Sequence, residues 1–270
     1  MKLENNDSQM LKSISEQVAN AVQLVLNSNV IGIYMTGSAV LDDWHYGKSD
    51  IDFTVVVRNS VAKEYIALLE KQLKPLESKY QTVKLEILYV PLLIVGKCKE
   101  EVEPILTYHD KKHSISYFNL NPVTWYSLKK YGIAILGKPV NELNLKTSKD
   151  ELCSYVFENV NTYWRSWVAS ATKIFSVKGI LSLTNWSVEW CICGMSRMYY
   201  TLQEKDITSK SGAANYMMDK VPQEYQLILK EAQRIRLMNG KNFYTSRVKR
   251  RKDIIKFMNY VIELCQIDKQ

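Results

Sequence analysis

No stretch of this 270-residue sequence approaches the roughly 18 uninterrupted apolar residues that a membrane-spanning helix needs. The opening residues, MKLENNDSQMLKS, carry acids and lack an apolar segment, so they do not read as a secretory signal. A cytoplasmic location is therefore expected. Cysteine is sparse: Cys98, Cys153, Cys191, Cys193 and Cys265 form an odd count at irregular spacing. That argues against a disulfide framework or a zinc site and favours buried thiols. Histidine is rarer still, with only His45, His109 and His113. The last two are four apart, a spacing that suits one helical face, but no metalloprotease-type glutamate stands between them. There is no low-complexity linker and no internal repeat.

The remaining composition is that of a globular protein, with 46% hydrophobic and 24% charged residues. The net charge of +8 is unevenly spread. Residues 1–150 hold 18 basic and 17 acidic side chains, a balance of +1, and residues 151–270 hold 18 and 11, a balance of +7. A basic C-terminal half suits a polyanion such as a triphosphate. The run Arg247–Arg251, with Lys252 and Lys256 beyond it, has few aromatics nearby and reads as a solvated helix face, not a nucleic-acid site.

Apolar periodicity predicts a helix over 11–28, strands over 30–35, 51–57 and 83–90, and helical stretches over 60–80 and 121–131. A short strand or turn is expected at 133–136. Segment 99–118 is compatible with more than one structure. From Ser148 and Glu151, a capping box, helices are predicted near 151–176, 183–204, 210–219, 223–236 and 246–267. The expected architecture is α+β: an N-terminal domain over 1–147 with a mixed sheet flanked by helices, then an all-helical bundle over 148–270.

Chemistry concentrates in two short pieces, Gly37-Ser38 after the first strand and Ser49-Asp50-Ile51-Asp52 at the start of the second. Glycine at the first lets a phosphate approach the backbone. Asp50 and Asp52, two apart on a strand, project to one face. Side-by-side carboxylates repel, and a divalent cation between them relieves the cost. Glu86 lies in the otherwise apolar run Val83–Val90 and needs a partner. If its strand neighbours the second strand, it completes a three-carboxylate cluster able to hold one or two magnesium ions and to take a proton from an attacking hydroxyl. The alternative is that Glu86 pairs with Lys84 on an exposed face.

This pattern resembles the polymerase-β-like nucleotidyltransferases, and in particular the streptomycin/spectinomycin-type aminoglycoside adenylyltransferases. Leu85-Glu86-Ile87, the segment Ile207–Ala214 containing Lys210, and Glu231–Arg236 extend the resemblance over most of the chain. It implies transfer of AMP from ATP to a drug hydroxyl with release of pyrophosphate. Asp50, Asp52 and Glu86 are then the metal ligands for Mg2+, with two ions expected, and Glu86 is also the general base. Gly37, Ser38, Ser49, Lys210, Arg236 and Asn121 are implied in holding the nucleotide. The cationic drug would meet Trp164, Trp186 and Glu189. Related enzymes place an aspartate against streptomycin in this region, where this chain offers only Ser187 and Glu189. With motifs in both domains, the site is expected in the cleft between them. The competing readings are a protein or RNA acceptor on the same fold, and a nucleotide-binding module without catalysis.

Overall fold

A computed structural model describes residues 5–267, which divide into two compact units, one up to Ser148 and one from Lys149. The first unit opens with helix α1 (Asn5–Leu26), whose Leu11, Ile14, Val18 and Val22 form a fully buried stripe at helical spacing. It continues through β1 (Val30–Thr36), β2 (Ile51–Val57), α2 (Glu64–Lys79), β3 (Leu85–Pro91), β4 (Ile105–His109), β5 (Lys112–Ser116), α3 (Pro122–Tyr131) and β6 (Ile133–Leu136).

The six strands form one mixed sheet in the order β5-β4-β3-β2-β1-β6. Only β2 and β3 run parallel among these pairs, and α2 supplies the crossover that a parallel pair requires. Side chains alternate across the sheet. Ile51, Phe53, Val55, Leu85, Ile87 and Tyr89 join the core built with α1 and α2. Val56, Leu88 and Val90 face the other way, onto Tyr34 of β1 and Trp125 and Leu128 of α3. Asp52 and Glu86 share this second face, at the entry to their strands.

Two features steady the β3–β4 region. Glu77 of α2 is 1% exposed. It accepts hydrogen bonds from the Leu85 N–H (3.0 Å) and the Tyr108 hydroxyl (2.6 Å), which satisfies an acid that would otherwise cost several kcal/mol to bury. Strands β4 and β5 form a hairpin whose turn residues, Asp110 and Lys111, both take positive φ, +48° and +62°. The hairpin resolves the open segment 99–118. It also puts His109 opposite Lys112 and His113 opposite Tyr108, so the two histidines occupy opposite sheet faces and not one helical face.

The second unit contains α4 (Lys149–Asn159), a π-helical turn at Val160–Trp164, α5 (Arg165–Thr172), α6 (Val177–Leu181), α7 (Asn185–Glu204), α8 (Lys210–Met218), α9 (Gln223–Leu237) and α10 (Arg247–Ile267). The single helix expected over 151–176 is thus broken by the π turn and ends at Thr172. Val188, Cys191, Ile192 and Met195 of α7 pack with Ile228 and Leu229 of α9 and with Ile254, Phe257 and Met258 of α10.

The basic run at the start of α10 departs from its expected role as a solvated face. Arg250 and Arg251 are buried. Arg250 donates to the Asn185 side-chain oxygen (2.8 Å), the Leu183 carbonyl (2.8 Å) and Glu231 (3.2 Å). Arg251 donates to the carbonyls of Ala171 (2.6 Å) and Thr172 (3.0 Å), two of the acceptors that the end of α5 leaves open. Lys249 and Lys252 do face solvent. The cysteines are unbridged, with Cys191, Cys193 and Cys265 buried. Among the described residues, no helix is long and apolar enough to cross a membrane.

Candidate active site

The parallel register of β2 and β3 sets Asp52 directly beside Glu86, and Thr36 of β1 lies on the other side of Asp52. Glu86 therefore has a second acid as its cross-strand partner. Asp50 stands two residues before Asp52 and lines a small cavity with Lys84, Leu85, Glu86, His109 and Asp110.

Gly37 turns the chain immediately after β1 with φ +69°, a conformation that favours glycine. Any side chain there would run into the Asp52 carboxylate. Glycine thus serves the neighbouring acid as well as the turn. The turn continues through Ser38, whose carbonyl accepts from the Leu41 and Asp43 N–H groups. Asp43, 3% exposed, holds His45 Nε2 at 3.0 Å, and the Ser49 hydroxyl accepts the His45 N–H at 3.1 Å. The loop from Ser38 to Ser49 is braced by its own side chains.

Electrostatics single out Glu86. Burial, then the charges of Asp52 and Asp50, push its carboxyl up to about 9, assisted by a hydrogen bond with Asp52 and by Asp110. Without a cation, burial and the neighbouring acids favour the protonated form of this carboxyl. Such mutual repulsion is what a divalent ion removes. Among the described residues, no three His, Cys, Asp or Glu side chains already converge as a complete ligand set. Magnesium does not need one, because one or two carboxylates with substrate phosphates and water complete its octahedron. Asp50 and Asp52 fit that demand.

His109, which the motif reading left aside, belongs to this place. Its Nε2 lies 3.4 Å from Glu86 Oε1 and its Nδ1 lies 3.2 Å from Asp110 Oδ2. A signal was present in the sequence only as a histidine in an unassigned segment. Asn121 caps α3: its side-chain oxygen accepts from the Val123 (3.0 Å) and Thr124 (3.2 Å) N–H groups. Only its NH2 group is left for a nucleotide.

The remaining expected residues belong to the second unit. Lys210 opens α8 behind the N-cap Ser209, whose hydroxyl accepts the Gly212 N–H. Its Nζ is 3.1 Å from Glu189 Oε1, and Arg236 Nη1 approaches the same oxygen at 3.3 Å. Glu189 is 5% exposed and contacts two cations. Burial, with Glu189, pushes the nearby Cys193 thiol up to about 12, against the opposing charges of Lys210, Arg197 and Arg236. Arg197 interrupts the run 191–199 of α7.

Trp164 lies inside the second unit. It is 4% exposed in the helical core and packs against Gly194, where a Cβ would lie 2.7 Å from its ring. Trp186 remains half exposed and stacks on Trp190 at 5.4 Å with 11° between planes. Of the three residues expected to meet a drug, it alone offers an open aromatic face.

Comparison with known proteins adds to this geometry. Residues 14–114 match the nucleotidyltransferase domain, and residues 156–263 match the aminoglycoside adenylyltransferase C-terminal domain. A spectinomycin 9-adenylyltransferase of Campylobacter jejuni is 22% identical over 262 residues, covering 92% of this chain and 93% of that one. A spectinomycin adenyltransferase from Enterococcus faecialis, crystallised with ATP and spectinomycin, shares the fold with a TM-score of 0.69 at 18% identity, over 94% of this chain and 98% of that one. With the paired carboxylates in its first unit and both domain matches in order along its length, the chain belongs to the aminoglycoside adenylyltransferase family of nucleotidyltransferase enzymes.

Proposed function

We propose that the protein transfers AMP from ATP to a hydroxyl of a spectinomycin-type aminoglycoside and releases pyrophosphate. The observation that carries this reading is the in-register pair Asp52 and Glu86, with Asp50 beside them, against the Gly37 turn. Both named relatives act on spectinomycin, which supports that drug class as the acceptor.

Glu86 takes the proton of the acceptor hydroxyl. The oxygen forms a bond to the α-phosphorus while the bond from that phosphorus to the α–β bridging oxygen breaks, and pyrophosphate departs with the electron pair. Asp50 and Asp52 would hold magnesium. When bound, the ion supplies positive charge that keeps the carboxylates ionised and eases charge build-up on the phosphates. The Gly37 turn gives the triphosphate close access to the backbone, and Ser38 offers its hydroxyl there. The Ser49 hydroxyl braces the loop through the His45 N–H. Within the second unit, Lys210 and Arg236 offer positive charge to a polyanionic group, and the exposed ring of Trp186 offers an aromatic face to a cationic drug.

The test is pyrophosphate release with ATP and magnesium, in parallel arms with spectinomycin, streptomycin and no acceptor. Release is expected with spectinomycin and not without acceptor. Asp50→Asn should lower the rate by about 10³-fold or more while melting like the parent. Full activity in Asp50→Asn would sink the assignment of the metal site.

A further inference from the structure

The register that pairs Ile87 with Tyr108 and Leu88 with Thr107 across β3 and β4, continued by one residue, brings His109 opposite Glu86. Glu86 is thus flanked in one row by Asp52 on β2 and His109 on β4, and cross-strand partners of this kind share a sheet face. We propose that His109 is a positioning residue that sets the direction of the Glu86 carboxylate.

The imidazole is itself anchored at two further points. Nδ1 lies 3.2 Å from Asp110 Oδ2, and the ring packs on Phe118 with centroids 4.9 Å apart. Asp110 can contribute because the hairpin turn begins at that residue, next to the end of β4. Each ring nitrogen therefore lies near a carboxylate oxygen, and the imidazole sits between Asp110 and Glu86. On the far side, Glu86 hydrogen-bonds with Asp52. With one oxygen beside His109, the carboxylate presents the other toward the acids and the substrate. The separation of 3.4 Å from Nε2 to Oε1 is long for a hydrogen bond, and contacts of this type commonly tighten in the substrate complex. A base misplaced by about 1 Å can lose as much as 10²-fold in rate, so a residue that only aims the carboxylate has a measurable effect.

The inference rests on Glu86 being the base of the proposed transfer. Its test uses the full chain with two substitutions. His109→Phe keeps a ring against Phe118 and removes both nitrogens, whereas His109→Gln keeps an amide within reach of Glu86. His109→Phe should lower kcat by about 10- to 100-fold, with KM for ATP and acceptor within about twofold of the parent. His109→Gln should recover most of that loss. Placed on Glu86→Gln, His109→Phe should add nothing, because the two residues act as a unit. An unchanged kcat in His109→Phe, a rise in KM alone, or an additive loss in the double variant would each overturn the proposal.

A second measurement does not depend on turnover. The ring resonances of His109, followed by NMR at fixed pH without metal, should move in Glu86→Gln. Resonances identical to the parent's overturn the contact itself. If the parent protein releases no pyrophosphate with any acceptor, the functional reading fails, while the NMR result still decides whether His109 touches Glu86.

Discussion

Glu86 in the first unit and Glu231 in the second are both enclosed by the protein, and their surroundings pull in opposite directions. Glu231 is fully buried. It accepts from Arg234 Nε (2.8 Å) and Nη2 (3.0 Å), from Arg250 (3.2 Å) and from the Phe243 N–H (3.2 Å). Burial alone would raise its carboxyl, but Arg234, the Phe243 amide and Arg250 outweigh burial and hold it below the usual carboxylate range. Glu86 has acids for neighbours, and burial with Asp52 and Asp50 drives it up to about 9. An acid that serves architecture is surrounded by donors. An acid set among other acids is left in tension that a cation can release.

The sharpest way to break this contrast is to neutralise the architectural acid. Glu231→Gln leaves Arg250 and Arg234 facing an uncharged amide, and loss of one partner of a buried pair costs about 3–5 kcal/mol. Its Tm should fall by about 10 °C or more on thermal denaturation. A fall of only a degree or two would mean that the cluster adds little to stability.

The same change at Glu86 should act with the opposite sign. The native protein holds the Glu86 proton up to about pH 9, whereas the unfolded chain releases it near 4.5. Stability from this group is complete below pH 4.5 and declines as pH rises toward 9. In protein stripped of divalent cations, Glu86→Gln should therefore melt higher than the parent at pH 8, by about a few degrees, and the two should converge near pH 4. Equal melting at pH 8 would show that Glu86 is not under tension. Smaller effects separate the residues of the basic run. Arg251→Met removes donors from the Ala171 and Thr172 carbonyls and should cost about 1–3 kcal/mol, whereas Lys249→Ala should stay within about 0.5 kcal/mol in denaturant titrations.

The strands bearing the acids were legible in the sequence because β-branched runs and breakers coincide there. Ile51–Val57 and Val83–Val90 were expected, and the structure pairs them in parallel so that Asp52 meets Glu86. The β4–β5 hairpin was not legible. Its two-residue turn uses Asp110-Lys111, without the glycine that ordinarily marks such a turn. His109 was lost with it, since its meaning depends on a strand pairing absent from local pattern. Helical periodicity carried through Val160–Trp164 without sign of the π turn, because the extra residue per turn leaves the apolar spacing nearly intact. Arg250 and Arg251 look like any basic surface in one dimension. Their burial follows from what stands opposite them, Glu231 and the open carbonyls of α5, which lie 19 to 80 residues away in the chain.

The arginines of α10 also bear on synthesis. Residues 1–148 leave the ribosome with every part of their core already made, so that unit has all it needs to fold while translation proceeds. The second unit must wait. Until α10 emerges, Glu231 lacks Arg250, the end of α5 lacks Arg251, and the apolar face later covered by Ile254, Phe257 and Met258 stays open. A product interrupted before residue 247 would thus join a finished first unit to a second one exposing a greasy groove and an under-partnered acid, the kind of surface that chaperones and proteases survey.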